Sequence, residues 1–287
     1  HEAFDSANEK LFSQFENYEI TIGDAVDITT ATNEGMGDGD NIVETITISG
    51  GNALSSYTST DGAIDGTSLT SFDASGFKGT TSVTVNAGIA DTVTLKAGSA
   101  TDDSLTFSAV NGLAKATTGK LAATGFETVA LLTATAASTI DASGLTGATT
   151  IAVQNDQDVT LSGVAAGTTI QLGATNAAAT DDYSGSVTVA LADATGASDS
   201  LTFTTTKSAA NDALDATLVT SGIEAVTITH NVAAATKGDG DLNVSGVKAS
   251  TLTLTGGLAG ESLDLTKGSS TLNTLTSTVD ASALKSD

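Results

Sequence analysis

Asp103-Ser104-Leu105-Thr106-Phe107 returns almost unchanged as Asp199-Ser200-Leu201-Thr202-Phe203. In both, apolar residues alternate with small polar ones, the period of two that places one face of a strand in a core and the other in water. Around these pentapeptides a longer unit repeats, Ser82 to Thr133 and then Ser186 to Thr229. Each copy opens with Ser-Val-Thr-Val (Ser82–Val85, Ser186–Val189) and ends on Gly-Phe-Glu-Thr-Val or Gly-Ile-Glu-Ala-Val (Gly125–Val129, Gly222–Val226). Weaker echoes lie at Glu44-Thr45-Ile46 and Glu261-Ser262-Leu263. Recurrence of short strands is the signature of a repeat architecture, in which a unit buries its apolar face only against its neighbours.

The same parity gives a rule for the acids. Asp103 shares the parity of Leu105 and Phe107, so it points to the apolar side. Asp199, Asp91, Glu261, Glu127, Glu224 and Glu44 stand likewise two residues before an inward apolar residue. An acid at the strand start is thus a recurrent device with two readings. In one, these carboxylates accept hydrogen bonds from backbone N–H groups of a neighbouring turn. In the other they are calcium ligands, because Ca²⁺ takes six to eight oxygens from carboxylates and carbonyls. The acidic turns Gly37-Asp38-Gly39-Asp40 and Gly238-Asp239-Gly240-Asp241 resemble metal loops as well as solvated turns. The candidate metal ligands are therefore Asp38, Asp40, Glu44, Asp91, Asp103, Glu127, Asp199, Glu224, Asp239, Asp241 and Glu261.

Turn motifs punctuate the strands. Phe72-Asp73-Ala74-Ser75-Gly76, Ile140-Asp141-Ala142-Ser143-Gly144 and Val279-Asp280-Ala281-Ser282 repeat one motif, with Asn243-Val244-Ser245-Gly246 a looser fourth. Asp and Ser side chains bond nearby backbone groups, so these read as corners where one strand stops and the next begins. Hairpin signals are scarce, Asn111-Gly112 being the clear one, and proline is absent. The pattern predicts an all-β chain, a parallel β-solenoid over residues 19–287, with an internal duplication of about 82–185 and 186–287. Residues 1–18 differ. Phe4, Leu11, Phe12 and Phe15 fall near helical spacing, which predicts a short helix leading from a preceding domain.

Composition narrows the function. The 287 residues carry 34 acidic against 10 basic side chains, a formal charge of −24. Nucleic acid is excluded as a natural partner, since its binding begins with Lys and Arg on phosphates. An anionic membrane surface is disfavoured for the same reason, and no apolar run approaches the roughly 18 residues of a spanning helix. A folded array this acidic calls for bound cations to offset self-repulsion. Cysteine is absent, as in bacterial extracellular proteins that fold without disulfides, although cytosolic proteins lack it too. The chain begins with His1 and shows no signal-peptide pattern, so it reads as an internal fragment or processed product.

Nothing assembles into a catalytic constellation. The two histidines, His1 and His230, share no motif, and His230 reads as an exposed strand end. The carboxylate pairs Asp102/Asp103 and Asp181/Asp182 lack aromatic platforms, there being no Trp and only three Tyr. The chain reads as a non-enzyme. Asn243-Val244-Ser245 matches the glycan acceptor tripeptide.

With these repeats laid out, the chain resembles the calcium-dependent, type I-secreted surface-layer (S-layer) proteins of Gram-negative bacteria, the RTX-related kind found in Caulobacter. The residues that carry the likeness are Gly125–Val129, Gly222–Ile228, Ala194–Leu201 and the Asp-Ala-Ser turns. The resemblance covers roughly residues 20–287. It implies a secreted, cell-surface protein whose repeat region is a calcium-stabilised β-solenoid that tiles a two-dimensional lattice with copies of itself. A separate domain outside this stretch would hold lipopolysaccharide. The tandem nonapeptide of related secreted proteins, Gly-Gly-x-Gly-x-Asp-x-apolar-x, has no intact copy here; Asp40, Asp103 and Asp199 keep only its Asp-x-apolar core. Scattered rather than tandem calcium sites are expected. The alternatives are the stalk of a secreted calcium-binding adhesin or biofilm-matrix protein, and an ice-binding solenoid suggested by Thr227-Ile228-Thr229 and Thr251–Thr255.

Overall fold

The structure is a computed structural model. It describes residues 16–30, 44–59, 69–85, 93–107, 122–132, 138–154, 158–172, 186–207, 214–220, 222–232, 242–245, 247–257, 263–264 and 274–285. The chain divides into two compact units, His1–Leu132 with Gly144–Ala148, and Thr133–Ser143 with Thr149–Asp287.

In the first unit, strands alternate between two sheets. One takes β1 (Asn17–Ile22), β3 (Thr45–Gly50), β5 (Ser71–Phe77), β7 (Thr94–Lys96), β9 (Ala122–Thr124) and β12 (Leu145–Thr146) in that order. The other takes β2 (Asp27–Thr30), β4 (Ser56–Ser59), β6 (Thr80–Val85), β8 (Ser104–Phe107) and β10 (Thr128–Leu132). The second unit is built alike. One sheet stacks β13 (Thr150–Gln154), β15 (Thr169–Leu172), β17 (Ser200–Lys207), β19 (Ala225–Val232), β21 (Lys248–Gly256) and β23 (Thr274–Leu284). Its companion stacks β11 (Ser138–Asp141), β14 (Val159–Val164), β16 (Ser186–Leu191), β18 (Leu214–Thr220), β20 (Leu242–Ser245) and β22 (Leu263–Asp264). Every strand pairing described within the units is parallel. This is a parallel β-solenoid, as the period-two pattern predicts. Among the described residues no helix is long and apolar enough to cross a membrane.

Register turns the sequence alternation into columns. In the first unit Val83, Leu105 and Val129 lie side by side, as do Val85, Phe107 and Leu131, all buried. In the second unit Ile151, Ile170, Phe203, Ile228 and Leu254 form one inward column. Phe107 and Phe203 occupy the expected inward positions. Burying such a side chain contributes about 1.5–3 kcal/mol, and no single coil could supply the cover alone.

Several expectations change. Asn17 and Tyr18 belong to β1, so they are not part of the helix foreseen to about residue 18; residues 1–15 lie outside the described residues, as does Asn111-Gly112. Of the Asp-Ala-Ser motifs, only Asp141–Ser143 is a corner, leading through a 3-10 turn at Ala142–Gly144 into β12. Asp73–Ser75 lies inside β5: Thr47 faces Asp73 while Ser49 faces Gly76, so β5 carries one extra residue. Asp280–Ser282 does the same in β23, where Thr253 faces Asp280 and Thr255 faces Ala283. The Asp side chain bonds the backbone N–H two residues on (Asp73 to Ser75, 2.9 Å; Asp280 to Ser282, 3.0 Å). That local bond competes with the ladder and leaves a bulge in both strands; Asp141 makes the same bond to Ser143, 2.9 Å, at its corner.

His230 is also not an exposed strand end. It is 3% exposed, in the inward row of β19 with Val226 and Ile228, and its Nδ1 lies 2.5 Å from the hydroxyl of buried Thr205 on β17. Its parity with Val226 and Ile228 takes it inside; the adjoining Asn231 is the exposed residue. The next coil accommodates this pair with Gly256, opposite His230 in the register, at φ 83°. A Cβ there would lie 2.2 Å from the His230 carbonyl oxygen, so only glycine fits.

Candidate cation sites at the strand starts

The acids that open strands sort by sheet. Asp103 precedes β8, Glu127 precedes β10, Asp199 precedes β17 and Glu224 precedes β19. Asp103 and Glu127 stand on adjacent coils, and so do Asp199 and Glu224.

The two pairs share one bonding pattern. Glu127 Oε2 accepts the Asp103 N–H at 2.8 Å, while the Asp103 carbonyl accepts the N–H groups of Glu127 and Thr128 at 3.0 and 3.2 Å. Glu224 Oε2 accepts the Asp199 N–H at 3.0 Å, and the Asp199 carbonyl accepts those of Glu224 and Ala225, both at 3.0 Å. Each glutamate therefore reaches back over one coil and satisfies a donor that the start of the strand leaves bare. The Glu224 carbonyl continues the series with Ser250 and Thr251. Local satisfaction by backbone N–H groups thus accounts for part of what these carboxylates do.

It does not account for all of it. Asp103 is fully buried; its Oδ1 accepts the Thr81 N–H at 2.5 Å, and its Oδ2 is buried without a hydrogen-bond partner. Asp199 Oδ2 is also buried and unpartnered. Burial pushes the Asp103 carboxyl above the usual carboxylate range, the Thr81 N–H opposes this, and the Glu127 and Asp102 charges add to the rise. A carboxylate in such surroundings either takes a proton or a cation. Beneath the loop before β17, a Cβ on Gly196 would lie 3.1 Å from both oxygens of Asp199, so glycine keeps that approach open.

These donors suit a hard cation. They are carboxylate oxygens with carbonyls nearby, the set that Ca²⁺ uses. Among the described residues no three His, Cys, Asp or Glu side chains come together as a metal-holding group. A Ca²⁺ ion at Asp103/Glu127 or Asp199/Glu224 would complete its shell with backbone carbonyls and water.

The other candidates fall apart from these pairs. Glu44 precedes β3 in the opposite sheet, and its side chain is exposed, contrary to its parity. Glu44 contributes its carbonyl instead, which accepts the Thr70 and Ser71 N–H groups at 2.8 and 3.2 Å. Asp38, Asp40, Asp91, Asp239, Asp241 and Glu261 lie outside the described residues. Sequence reasoning missed Asp158, whose Oδ1 accepts the Ser186 N–H and hydroxyl at 2.8 and 2.7 Å, bonds that hold its carboxyl below the usual range. It precedes Val159 and Leu161 on the wrong parity for the strand-start rule, so only the neighbouring coil reveals it. Among the described residues Asp73 is the ion-paired acid: burial raises its carboxyl, but Ser75 and the Lys96 ammonium at 3.1 Å outweigh that and hold it low.

No protein-family model, curated protein or solved structure matches the chain.

Proposed function

We propose that this chain is a structural, non-catalytic segment of a bacterial surface layer. Secreted to the cell surface, it assembles with copies of itself into a two-dimensional lattice whose formation depends on calcium, and a domain outside this stretch engages lipopolysaccharide. The observation that carries the reading is the acid pair found twice, Asp103/Glu127 and Asp199/Glu224, each with a buried aspartate oxygen that no protein group satisfies. On a chain of charge −24, ions at these positions relieve the buried charge and the long-range repulsion that opposes packing of copies. When bound, calcium supplies positive charge. The chain's own part is to hold two carboxylates on adjacent coils, with Glu127 and Glu224 fixed by the backbone N–H groups they accept.

Assembly without cells tests this reading. Purified protein in millimolar calcium should form ordered sheets visible by electron microscopy and should disperse in chelator. Monodisperse rods in both conditions would reject the lattice in favour of the adhesin stalk.

A further inference from the structure

The two acid pairs at the strand starts differ in what closes over them. Asp103 opens β8, which lies between β6 and β10 in one sheet. From the coil of β10, Glu127 Oε2 accepts the Asp103 N–H; from β6, the Thr81 N–H donates to Asp103 Oδ1. Asp103 and Thr81 are both fully buried. Burial raises the Asp103 carboxyl, and the Thr81 hydroxyl is near enough to oppose the rise, yet it stands outside hydrogen-bonding geometry. Two oxygens on touching residues, Asp103 Oδ2 and Thr81 Oγ1, are thus left inside the fold without a partner. Thr81 is backed in turn by Tyr57 of β4, opposite it in the register. The way in runs between β6 and β8, which are paired from Ser82 and Ser104 to Val85 and Phe107 with Val83, Val85, Leu105 and Phe107 buried.

Asp199 has a different cover. It is only partly buried, and the loop that leads to it, residues 192–198, is exposed throughout. Gly196 of that loop lies against the carboxylate, close enough that a Cβ would stand 3.1 Å from both oxygens. The side-chain bonds described within the loop are local, from the Thr195 N–H and hydroxyl to Asp193 Oδ1 at 3.0 and 2.6 Å. An exposed loop of this kind opens at little cost, whereas a buried ladder opens at a cost approaching that of unfolding.

We infer that the two pairs hold calcium on different terms: an ion at Asp103, Thr81 and Glu127 is locked in as the coils close, and an ion at Asp199 and Glu224 exchanges with the medium past the Gly196 loop. The inference rests on the calcium reading proposed above and says how that reading divides between its two sites. The oxygens suit the division. Thr81 adds a neutral hydroxyl beside two carboxylates, hard donors of the kind Ca²⁺ takes, in a place that admits an ion only while β6 and β8 are apart. Asp199 and Glu224 stand where water reaches to complete a shell. The calcium level of the medium therefore acts on the folded protein through Asp199, while the Asp103 site is filled at folding.

Release of calcium from the folded protein separates the two. Protein saturated with calcium and mixed rapidly with a fluorescent chelator should give up ions in a fast and a slow phase, at least about a hundredfold apart in rate. Asp199→Asn should remove amplitude from the fast phase alone, and Asp103→Asn from the slow phase alone. Thr81→Val keeps the backbone N–H and the size of the side chain, and should speed the slow release at least about tenfold while leaving the fast one as in the parent. It also decides the matter if Asp103→Asn does not fold. A single phase, loss of the same phase in both Asp variants, or a slow phase unchanged in Thr81→Val overturns the inference and leaves the calcium reading standing. A parent that binds no calcium rejects that reading, and this inference with it.

Discussion

Replacing Asp103 with Asn should stabilise the protein in chelator and lose most of that advantage in calcium. The carboxylate is fully buried, holds one backbone bond from Thr81, leaves Oδ2 without a partner and faces the charges of Glu127 and Asp102. Asparagine keeps the Oδ1 acceptor and the shape while removing the charge. Leaving a neutral group unsatisfied costs about 1–3 kcal/mol and a charged one more, so in chelator Asp103→Asn should stabilise the fold by about 1–2 kcal/mol. That corresponds to a rise of roughly 2–8 °C in Tm. In calcium at ten times its dissociation constant, the parent gains about 1.4 kcal/mol from one site, and the variant forfeits it. The assay is a thermal melt by circular dichroism of both proteins in each condition, and Asp199→Asn should follow the same course. A variant less stable than the parent in chelator would refute the buried-charge argument. Equal stabilisation in both conditions would refute calcium at Asp103.

Other perturbations address the core and the pH response. Phe107→Ala and Phe203→Ala should each cost about 3–5 kcal/mol in urea unfolding, as both rings are buried in inward columns; a neutral result at either would break the equivalence of the two copies. Thr205→Val removes the hydroxyl that His230 Nδ1 meets and should cost about 1–3 kcal/mol by the same measurement. In chelator, acidification from neutral should first raise Tm. The Asp103 carboxyl is raised in the fold, so its contribution is full below the unfolded value of about 3.9 and is lost as pH rises through the folded one. Below about pH 4 the trend should reverse as Asp73 and Asp158, held low in the fold, take up protons. A pH series of melts on the parent and Asp103→Asn checks both limbs, and the variant should lose the first.

The sequence carried the solenoid because one-sided burial on parallel strands writes itself as alternation, and Asp103-Ser-Leu-Thr-Phe and its copy alternate cleanly. The inward turn of Asp103 was legible for the same reason. What lay beyond reading was register between coils. Ser82–Val85 lies beside Ser104–Phe107 in one sheet, whereas Ser186–Val189 lies between β14 and β18, in a different sheet from Ser200–Lys207. Equal tetrapeptides thus take unequal places, because the number of residues spent in the turns decides which sheet a strand joins. The Glu127 and Glu224 carboxylates bonding back over one coil depend on that same count. The bulges at Asp73 and Asp280 and the corner at Asp141 share one motif and the same Asp bond to the N–H two residues on, so the motif alone does not decide between bulge and corner.

The central claim is that calcium governs both the stability and the self-association of this chain. A thermal melt with simultaneous light scattering, run in millimolar calcium, in magnesium and in chelator, tests it most directly. Calcium should raise Tm and bring on scattering by ordered assemblies. Magnesium should do little of either, because it demands tight octahedral geometry and gives up water reluctantly. A Tm and a scattering trace that are the same in calcium and in chelator would contradict the claim.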